Sequence, residues 1–173
     1  FTSYTDDFNG TALDSSWVIP NTNPRIELQD GSLVLGRKEG TTGNIRNYRL
    51  VRPMSEAKLH QCVSVDFVMP AVDGAWLLLW TRLQDNGKGY YALLKADSIP
   101  QLFIRRNNSD GTTPNLGVSN FGNLLERGHR YRMVFETVNS GPVRLKAEII
   151  DLETMETIRT VTTQDAEANP PQA

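Results

Sequence analysis

The chain has 173 residues, of which 39% are hydrophobic and 22% are charged, proportions typical of a single globular domain. The formal net charge of −2 argues against nucleic acid as the main partner, because no basic excess is present to neutralise phosphates. No apolar run approaches the roughly 20 residues of a membrane-spanning helix. The single cysteine, Cys62, excludes an intrachain disulfide.

The first third of the chain predicts a hairpin and one further strand. Two short runs, residues 25–29 and 32–35, flank Asp30-Gly31. This dipeptide is a hairpin signal, because both residues accept the positive φ angles of a type I′ turn. Residues 45–51 then alternate between two faces, which indicates another strand.

Residues 59–69 form a clean alternating pattern, in which Val63, Val65 and Phe67 face one way and Asp66 faces the other. Because strand side chains alternate with a period of two, this pattern predicts one core-facing and one outward-facing side.

Residues 74–97 are the most informative stretch. They predict two strands joined by the polar, glycine-containing turn at residues 84–89. Alternation places Trp76, Trp80 and Arg82 on one face of the first strand, while leucines occupy the opposite face and are expected in the core. A strand face built from indoles is either buried on both sides or a platform for a ligand.

Further strands are predicted at residues 101–106, 115–119, 128–138, 143–151 and 157–163. Many short strands at regular spacing, without a long amphipathic helix, indicate an antiparallel sandwich or barrel. We expect one domain over residues 1–165 and a linker-like tail over residues 166–173, where prolines are frequent.

Several short motifs occur in order along nearly the whole chain. They are DFNG at residues 7–10, QDGSLVL at 29–35, LLWTRLQD at 78–85 and GHRYR at 128–132. In these motifs the chain resembles bacterial concanavalin A-like lectin/glucanase (laminin-G-like) jelly-roll modules. The resemblance implies an all-β, antiparallel two-sheet β-sandwich from a secreted or cell-surface bacterial protein. Modules of this kind accompany carbohydrate-active enzymes; many bind glycans on a concave sheet, and some carry a structural calcium ion.

The C-terminal end departs from the pattern of such modules, which usually close with a further strand. Here Asn169-Pro170-Pro171 stands where that strand should begin. We expect the missing strand to come from a second fragment or an adjoining domain of the same precursor, or to be lost.

Catalytic residues are hard to find in the sequence. Retaining glycosidases need two carboxyl groups about 5 Å apart, and no single strand offers such a pair. A pair formed by carboxyl groups on two neighbouring strands is not excluded. The only histidines, His60 and His129, are isolated, so neither a zinc site nor a catalytic triad is indicated. The residues favour a non-catalytic module, with an accessory domain or fragment of a glycoside hydrolase as the enzymatic alternative.

An aromatic constellation is the main candidate for a binding site. Its expected members are Trp76, Trp80, Arg82, Tyr90, Tyr91, Asp66 and Tyr48. Sugar rings stack on indoles and phenols, and a few polar groups among them fix the hydroxyls. The alternative is that both tryptophans belong to the core. Arg82 favours a groove, because an unpaired buried guanidinium would cost several kcal/mol.

A calcium site is expected at Asp6, Asp7 and Asp165, because jelly rolls bring their termini together and Ca²⁺ prefers clustered oxygen ligands. The alternative is that these acidic residues are simply solvated.

The predicted function is a non-catalytic carbohydrate-binding module of a larger secreted bacterial protein, which binds a polysaccharide on an aromatic-lined sheet. Two alternatives stay open at this point. One is a structural or adhesion module with a protein partner, and the other is a glycoside hydrolase of concanavalin A-like fold.

Overall fold

A computed structural model describes residues 6–18, 24–29, 32–37, 60–71, 73–122, 125–139, 142–167 and 171. The strands among these residues are β1 (Pro24–Gln29), β2 (Ser32–Arg37), β3 (His60–Val68), β4 (Ala75–Thr81), β5 (Gly89–Ala96), β6 (Gln101–Asn107), β7 (Asn115–Asn120), β8 (Arg130–Asn139), β9 (Val143–Asp151) and β10 (Thr157–Asp165). Within the described part of the chain, no helix has the length and apolar character of a membrane span.

The chain divides into two compact units, Phe1–Glu56 and Ala57–Ala173. In the first unit, β1 and β2 pair as an antiparallel hairpin, which confirms the hairpin predicted around Asp30-Gly31. The strand predicted at residues 45–51 lies outside the described residues. The assignment of residues 1–165 to one domain stays a prediction.

The second unit is built from two antiparallel four-stranded sheets that pack together. One sheet, called here the β8 sheet, has the order β10-β9-β8-β3, and the other, the β5 sheet, has the order β4-β5-β6-β7. The prediction of an all-β, two-sheet sandwich is therefore confirmed.

The core lies between the two sheets and follows directly from strand alternation. From β3, Val63, Val65 and Phe67 pack against it, whereas Asp66 is exposed, as the sequence pattern predicts. The largest fully buried side chains are Tyr90, Tyr131, Phe121, Phe135, Met69, Leu93, Leu94, Leu102, Ile104, Met133, Leu145 and Ile149. Nearly all of them face the gap between the sheets, so burial of apolar surface is the main force that holds the sheets together.

A polar contact closes one edge of the sandwich. Thr163 of β10 donates its hydroxyl to the Leu116 carbonyl oxygen of β7 at 2.8 Å, which links the β8 sheet to the β5 sheet. At this edge Gly117 approaches Val161 and Thr163 so closely that a β-carbon would touch the Val161 side chain. The two sheets thus contact each other directly along this edge, beneath the outer face of the β5 sheet.

Candidate ligand-binding face

The outer face of the β5 sheet carries a second apolar cluster, separate from the core. Its buried members are Tyr91, Leu93 and Phe103, against which the half-buried Trp76, Leu78 and Trp80 pack. On the same strand, Leu77 and Leu79 point the opposite way and contact the core. The two tryptophans therefore lie on the outer face of the sheet and not between the sheets.

Strand register arranges this outer face in rows that run across the sheet. The first row contains Trp76, Lys95, Gln101 and Asn120; the second contains Leu78, Leu93, Phe103 and Val118; the third contains Trp80, Tyr91 and Arg105. We call these side chains the aromatic face. Because successive rows are two residues apart along each strand, the first and third rows are about 13 Å apart. The middle row is wholly apolar and forms the floor between two mixed rows.

Trp80 and Tyr91 form the best-defined pair on the aromatic face. Their ring centroids are 4.5 Å apart and their planes are inclined by 33°. Tyr91 is only 5% exposed, so its ring is held in place beneath the indole. A packed aromatic pair of this kind presents a pre-organised apolar surface, which loses little side-chain entropy when a ligand binds.

Two cationic side chains lie over the aromatic rings of this face. The Lys95 ammonium nitrogen is 5.0 Å from the centroid of the Trp76 ring and 5.8 Å from that of Phe103. The Arg105 guanidinium carbon is 4.7 Å from the same Phe103 centroid. All three contacts have the geometry of cation–π interactions. The face is therefore apolar at its base and positively charged above the Phe103 ring.

Tyr90, a predicted member of the aromatic site, lies on the opposite side of the sheet from Tyr91. It is fully buried in the core, and its hydroxyl donates to Asp165 Oδ2 at 2.8 Å. Burial and the neighbouring Asp165 carboxylate raise the pKa of this phenol far above its usual range. Because neighbouring strand residues point to opposite faces, only one of the two tyrosines can share a face with Trp80.

Asp165 belongs to an ion-pair network at the end of β10. The Arg106 Nη1 atom lies 2.8 Å from Asp165 Oδ1 and 2.9 Å from Oδ2, and it also pairs with Glu167. Burial alone would raise the pKa of the Asp165 carboxyl, but the hydrogen bonds from Arg106 and Tyr90 outweigh it and lower the pKa. A calcium ion at Asp165 would have to compete with this guanidinium for both oxygens.

Arg82 is placed differently from the position that alternation predicts. Its φ of 52° lies in the left-handed region, which interrupts the alternation directly after β4 ends at Thr81. The side chain is only 4% exposed, and Nη1 donates to the Pro171 carbonyl oxygen at 3.3 Å. Burial lowers the pKa of the guanidinium, and the Tyr90 phenol interacts with it electrostatically. Arg82 therefore does not form the exposed polar end of the tryptophan face.

Asp66, also predicted for the aromatic site, lies on the other sheet. Its β3 position is exposed on the outer face of the β8 sheet, where Arg132 donates Nη2 to Oδ2 at 2.9 Å. Hydrogen bonding from Arg132 lowers the pKa of this carboxyl. The structure thus separates Asp66, Arg82 and Tyr90 from the aromatic face and brings Trp76, Trp80 and Tyr91 together. Tyr48 lies outside the described residues.

The other two aspartates of the predicted calcium site make local contacts in the first unit. Asp6 accepts hydrogen bonds from the Phe8 amide at 2.9 Å and from Trp17 Nε1 at 2.6 Å, and Asp7 accepts from the Asn9 amide at 3.1 Å. The Asn9 amide also lowers the pKa of Asp7. No group of three metal-ligating side chains occurs within the described ranges. Calcium binding stays a prediction.

The sequence does not exclude a catalytic pair of carboxylates on neighbouring strands. The outer face of the β8 sheet brings two carboxylates, Glu136 and Glu148, near each other. Strand register puts Glu136 opposite Lys146, and Glu148 one alternation further along β9. The Lys146 ammonium nitrogen lies 2.9 Å from Glu148 Oε2, and the Thr160 hydroxyl donates to Glu148 Oε1 at 3.2 Å. Glu148 is thus held as a paired carboxylate, which does not suit a general acid that must carry a proton.

Sequence reasoning missed the contribution of β6 to the aromatic face. Phe103 and Arg105 lie in a strand that the sequence predicts, but their face depends on the register between β5 and β6. The alternation within β6 could have shown which face each residue takes. Leu102 and Ile104 form a purely aliphatic set that belongs in the core, so Gln101, Phe103 and Arg105 must face outward.

Comparisons with known proteins do not extend these observations. No protein-family model matches the chain, and neither the curated proteins nor the solved structures give a significant match. The two-sheet fold is compatible with the jelly-roll modules that the sequence resembles, and membership of that family stays a prediction.

Proposed function

We propose that this chain is a non-catalytic carbohydrate-binding module of a larger secreted bacterial protein, and that it binds a polysaccharide on the aromatic face. The single observation that carries the proposal is the row-by-row arrangement of Trp76, Trp80, Tyr91 and Phe103 on the outer face of a sheet. These rings lie outside the core, although a strand that serves stability alone would need only one apolar side.

The chemistry of the face suits sugar rings. Indole and phenol rings offer flat apolar surfaces for the C–H faces of a sugar, and the amides at the edge offer hydrogen bonds to hydroxyls. Gln101 donates Nε2 to Asn120 Oδ1 at 2.8 Å, which orients both amides in the first row. With its outer rows about 13 Å apart, the face is long enough to take more than one ring of a chain.

The rigid support of the face favours binding without a large rearrangement. The rings lie on strands whose opposite sides form the core, and Tyr91, Leu93 and Phe103 are each less than 10% exposed. Sites built on such elements keep their geometry in the free protein, so little free energy is spent on ordering the site.

A polysaccharide panel tests this proposal. We expect the wild-type chain to be retarded in native gels that contain at least one soluble polysaccharide, or to be pulled down by an insoluble one. Trp80→Ala removes a large aromatic group from the third row, and a loss of about 2 kcal/mol, typical of a binding hot spot, corresponds to roughly 30-fold weaker binding.

The matched control is Val68→Ala. Val68 is an apolar residue that is 57% exposed on the outer face of the other sheet, so its truncation should leave binding unchanged. Thermal unfolding of both variants separates lost binding from lost folding. Unchanged affinity of a folded Trp80→Ala variant, or no binding to any polysaccharide, would argue against the proposal.

A further inference from the structure

The charges on the aromatic face converge on one ring. Lys95 comes from β5 and Arg105 from β6, in the first and third rows respectively. The Lys95 ammonium is 5.0 Å from the Trp76 centroid and 5.8 Å from the Phe103 centroid, and the Arg105 guanidinium is 4.7 Å from the same Phe103 centroid. Two like charges gathered over an apolar floor repel each other more strongly than they would in open water. An anion placed between them would relieve that repulsion.

Arg105 has no carboxylate partner among the residues that the structure describes. Its Nε atom is buried and makes no hydrogen bond within that part of the chain. The next residue, Arg106, points to the other side of the sheet and is neutralised there by Asp165 and Glu167. The Arg105 charge is thus not compensated by a carboxylate within those residues, and a guanidinium fork matches planar or tetrahedral oxyanions.

Lys95 is only weakly neutralised. Its one ion pair within the described residues is with Asp97, at a nitrogen–oxygen distance of 3.9 Å. The Asp97 side chain is 40% exposed and follows the end of β5, at the margin of the aromatic face. A pair this long and exposed contributes little, so the Lys95 ammonium can accept a second anionic partner.

From this convergence we infer that the aromatic face takes an acidic polysaccharide, whose carboxylate or sulfate group sits between Lys95 and Arg105 above Phe103. This inference rests on the proposed function and names its substrate class. The half-buried rings of Trp76 on one side and of Trp80 on the other, the latter supported from beneath by Tyr91, stack the flanking sugars. The net charge of −2 for the whole chain limits non-specific attraction of polyanions, so local placement of the two cations sets the preference.

The test compares two acidic polysaccharides, each with its neutral counterpart, and adds an acidic polypeptide as a control for charge alone. The wild-type chain is immobilised, and equilibrium binding is measured for polygalacturonate, for its carboxyl-reduced form, for dextran sulfate, for dextran and for polyglutamate. We expect one of the two acidic polysaccharides to bind at least tenfold more tightly than its neutral counterpart, with weaker binding at higher salt. Which of the two binds tells whether the face prefers carboxylate or sulfate.

Variants that each remove one positive charge test which cations cause the preference for acidic polymers. Arg105→Gln and Lys95→Gln should each lose about tenfold in affinity for the acidic polymer while retaining binding to the neutral form. Arg144→Gln makes the same change in net charge at an exposed position of the β8 sheet, and it should bind like the wild type.

Each other outcome overturns a stated part. Equal affinity for a polyuronate and its reduced form would overturn the acidic preference and leave carbohydrate binding intact. Binding of polyglutamate as tight as that of the acidic sugar would show that charge alone is recognised, which also overturns the inference. If the chain binds none of the polysaccharides, both the inference and the proposed function are overturned.

Discussion

Neighbouring residues in β6 illustrate how one strand can serve two purposes. Arg105 and Arg106 are adjacent in sequence, yet strand alternation sends the first to the aromatic face and the second to the Tyr90–Asp165 pair. The buried pair stabilises the sandwich, because both Asp165 oxygens accept hydrogen bonds and the carboxylate charge is compensated. The half-buried Arg105 does not have such a partner in the described part of the chain, and under the proposed function it contacts the ligand.

Asp165→Asn tests whether the ion pair between Arg106 and Asp165 stabilises the sandwich. The change keeps the shape of the side chain but removes the charge that compensates Arg106, so we expect the free energy of unfolding to fall by about 2 kcal/mol. Because the folded pKa of Asp165 is lowered, its contribution is fully present above the unfolded pKa of about 3.9 and is lost as the pH falls through the folded pKa. The difference between wild type and variant should therefore shrink in acid.

Urea unfolding monitored at several pH values measures this difference. Asp85→Asn, at an exposed turn position, is the control and should change stability by less than about 0.5 kcal/mol. A pH-independent difference between wild type and Asp165→Asn would contradict the assigned charge compensation.

At the scale of strands, alternation explains most of what the sequence could predict. The patterns of β3, β8 and β9 separate core from surface correctly, because a residue buried on one face must be apolar at every second position. The same rule correctly set the Trp76–Trp80 side apart from the leucine side.

The site residues that the sequence placed wrongly depend on where a strand ends and on which strand lies beside it. Arg82 takes a positive φ directly after β4, and no alternation rule extends past such a break. The placement of Asp66 on the β8 sheet required knowing that β3 pairs with β8, a contact between residues far apart in sequence. The choice between Tyr90 and Tyr91 depended on the register of β5 against β4, which local patterns do not specify.

The edge where β7 approaches β10 offers a test of the packing between the sheets. A β-carbon on Gly117 would lie 3.0 Å from Val161 Cγ1 and 3.5 Å from Thr163 Cβ. Gly117→Val should therefore destabilise the sandwich by about 2 kcal/mol through overpacking. The measurement is the shift in the urea midpoint at constant m-value. Val118→Ala is the control on the exposed side of the same strand, and equal stability of the Gly117→Val variant and the wild type would contradict the close approach of the sheets.

At the scale of the whole molecule, the β5 sheet has two apolar sides with different roles. The inner side forms the core with the β8 sheet, and the outer side carries the half-buried Trp76 and Trp80 packed against the buried Tyr91 and Phe103, with two cations near these rings. A sheet that is apolar on both sides is unnecessary for the stability of a two-sheet sandwich, whose strands need only one buried face. Under the proposed function, this outer cluster recognises the ligand.

The most direct measurement is acrylamide quenching of tryptophan fluorescence, with and without a saturating polysaccharide that the chain binds. The chain has three tryptophans, of which Trp76 and Trp80 belong to the aromatic face and Trp17 to the first unit. We predict that the polysaccharide protects the wild type and the Trp17→Phe variant from quenching, and that Trp76→Phe/Trp80→Phe shows no protection even where its phenyl rings still support binding. Protection that survives in the double variant and disappears in Trp17→Phe would place the ligand away from the aromatic face and contradict the proposed function.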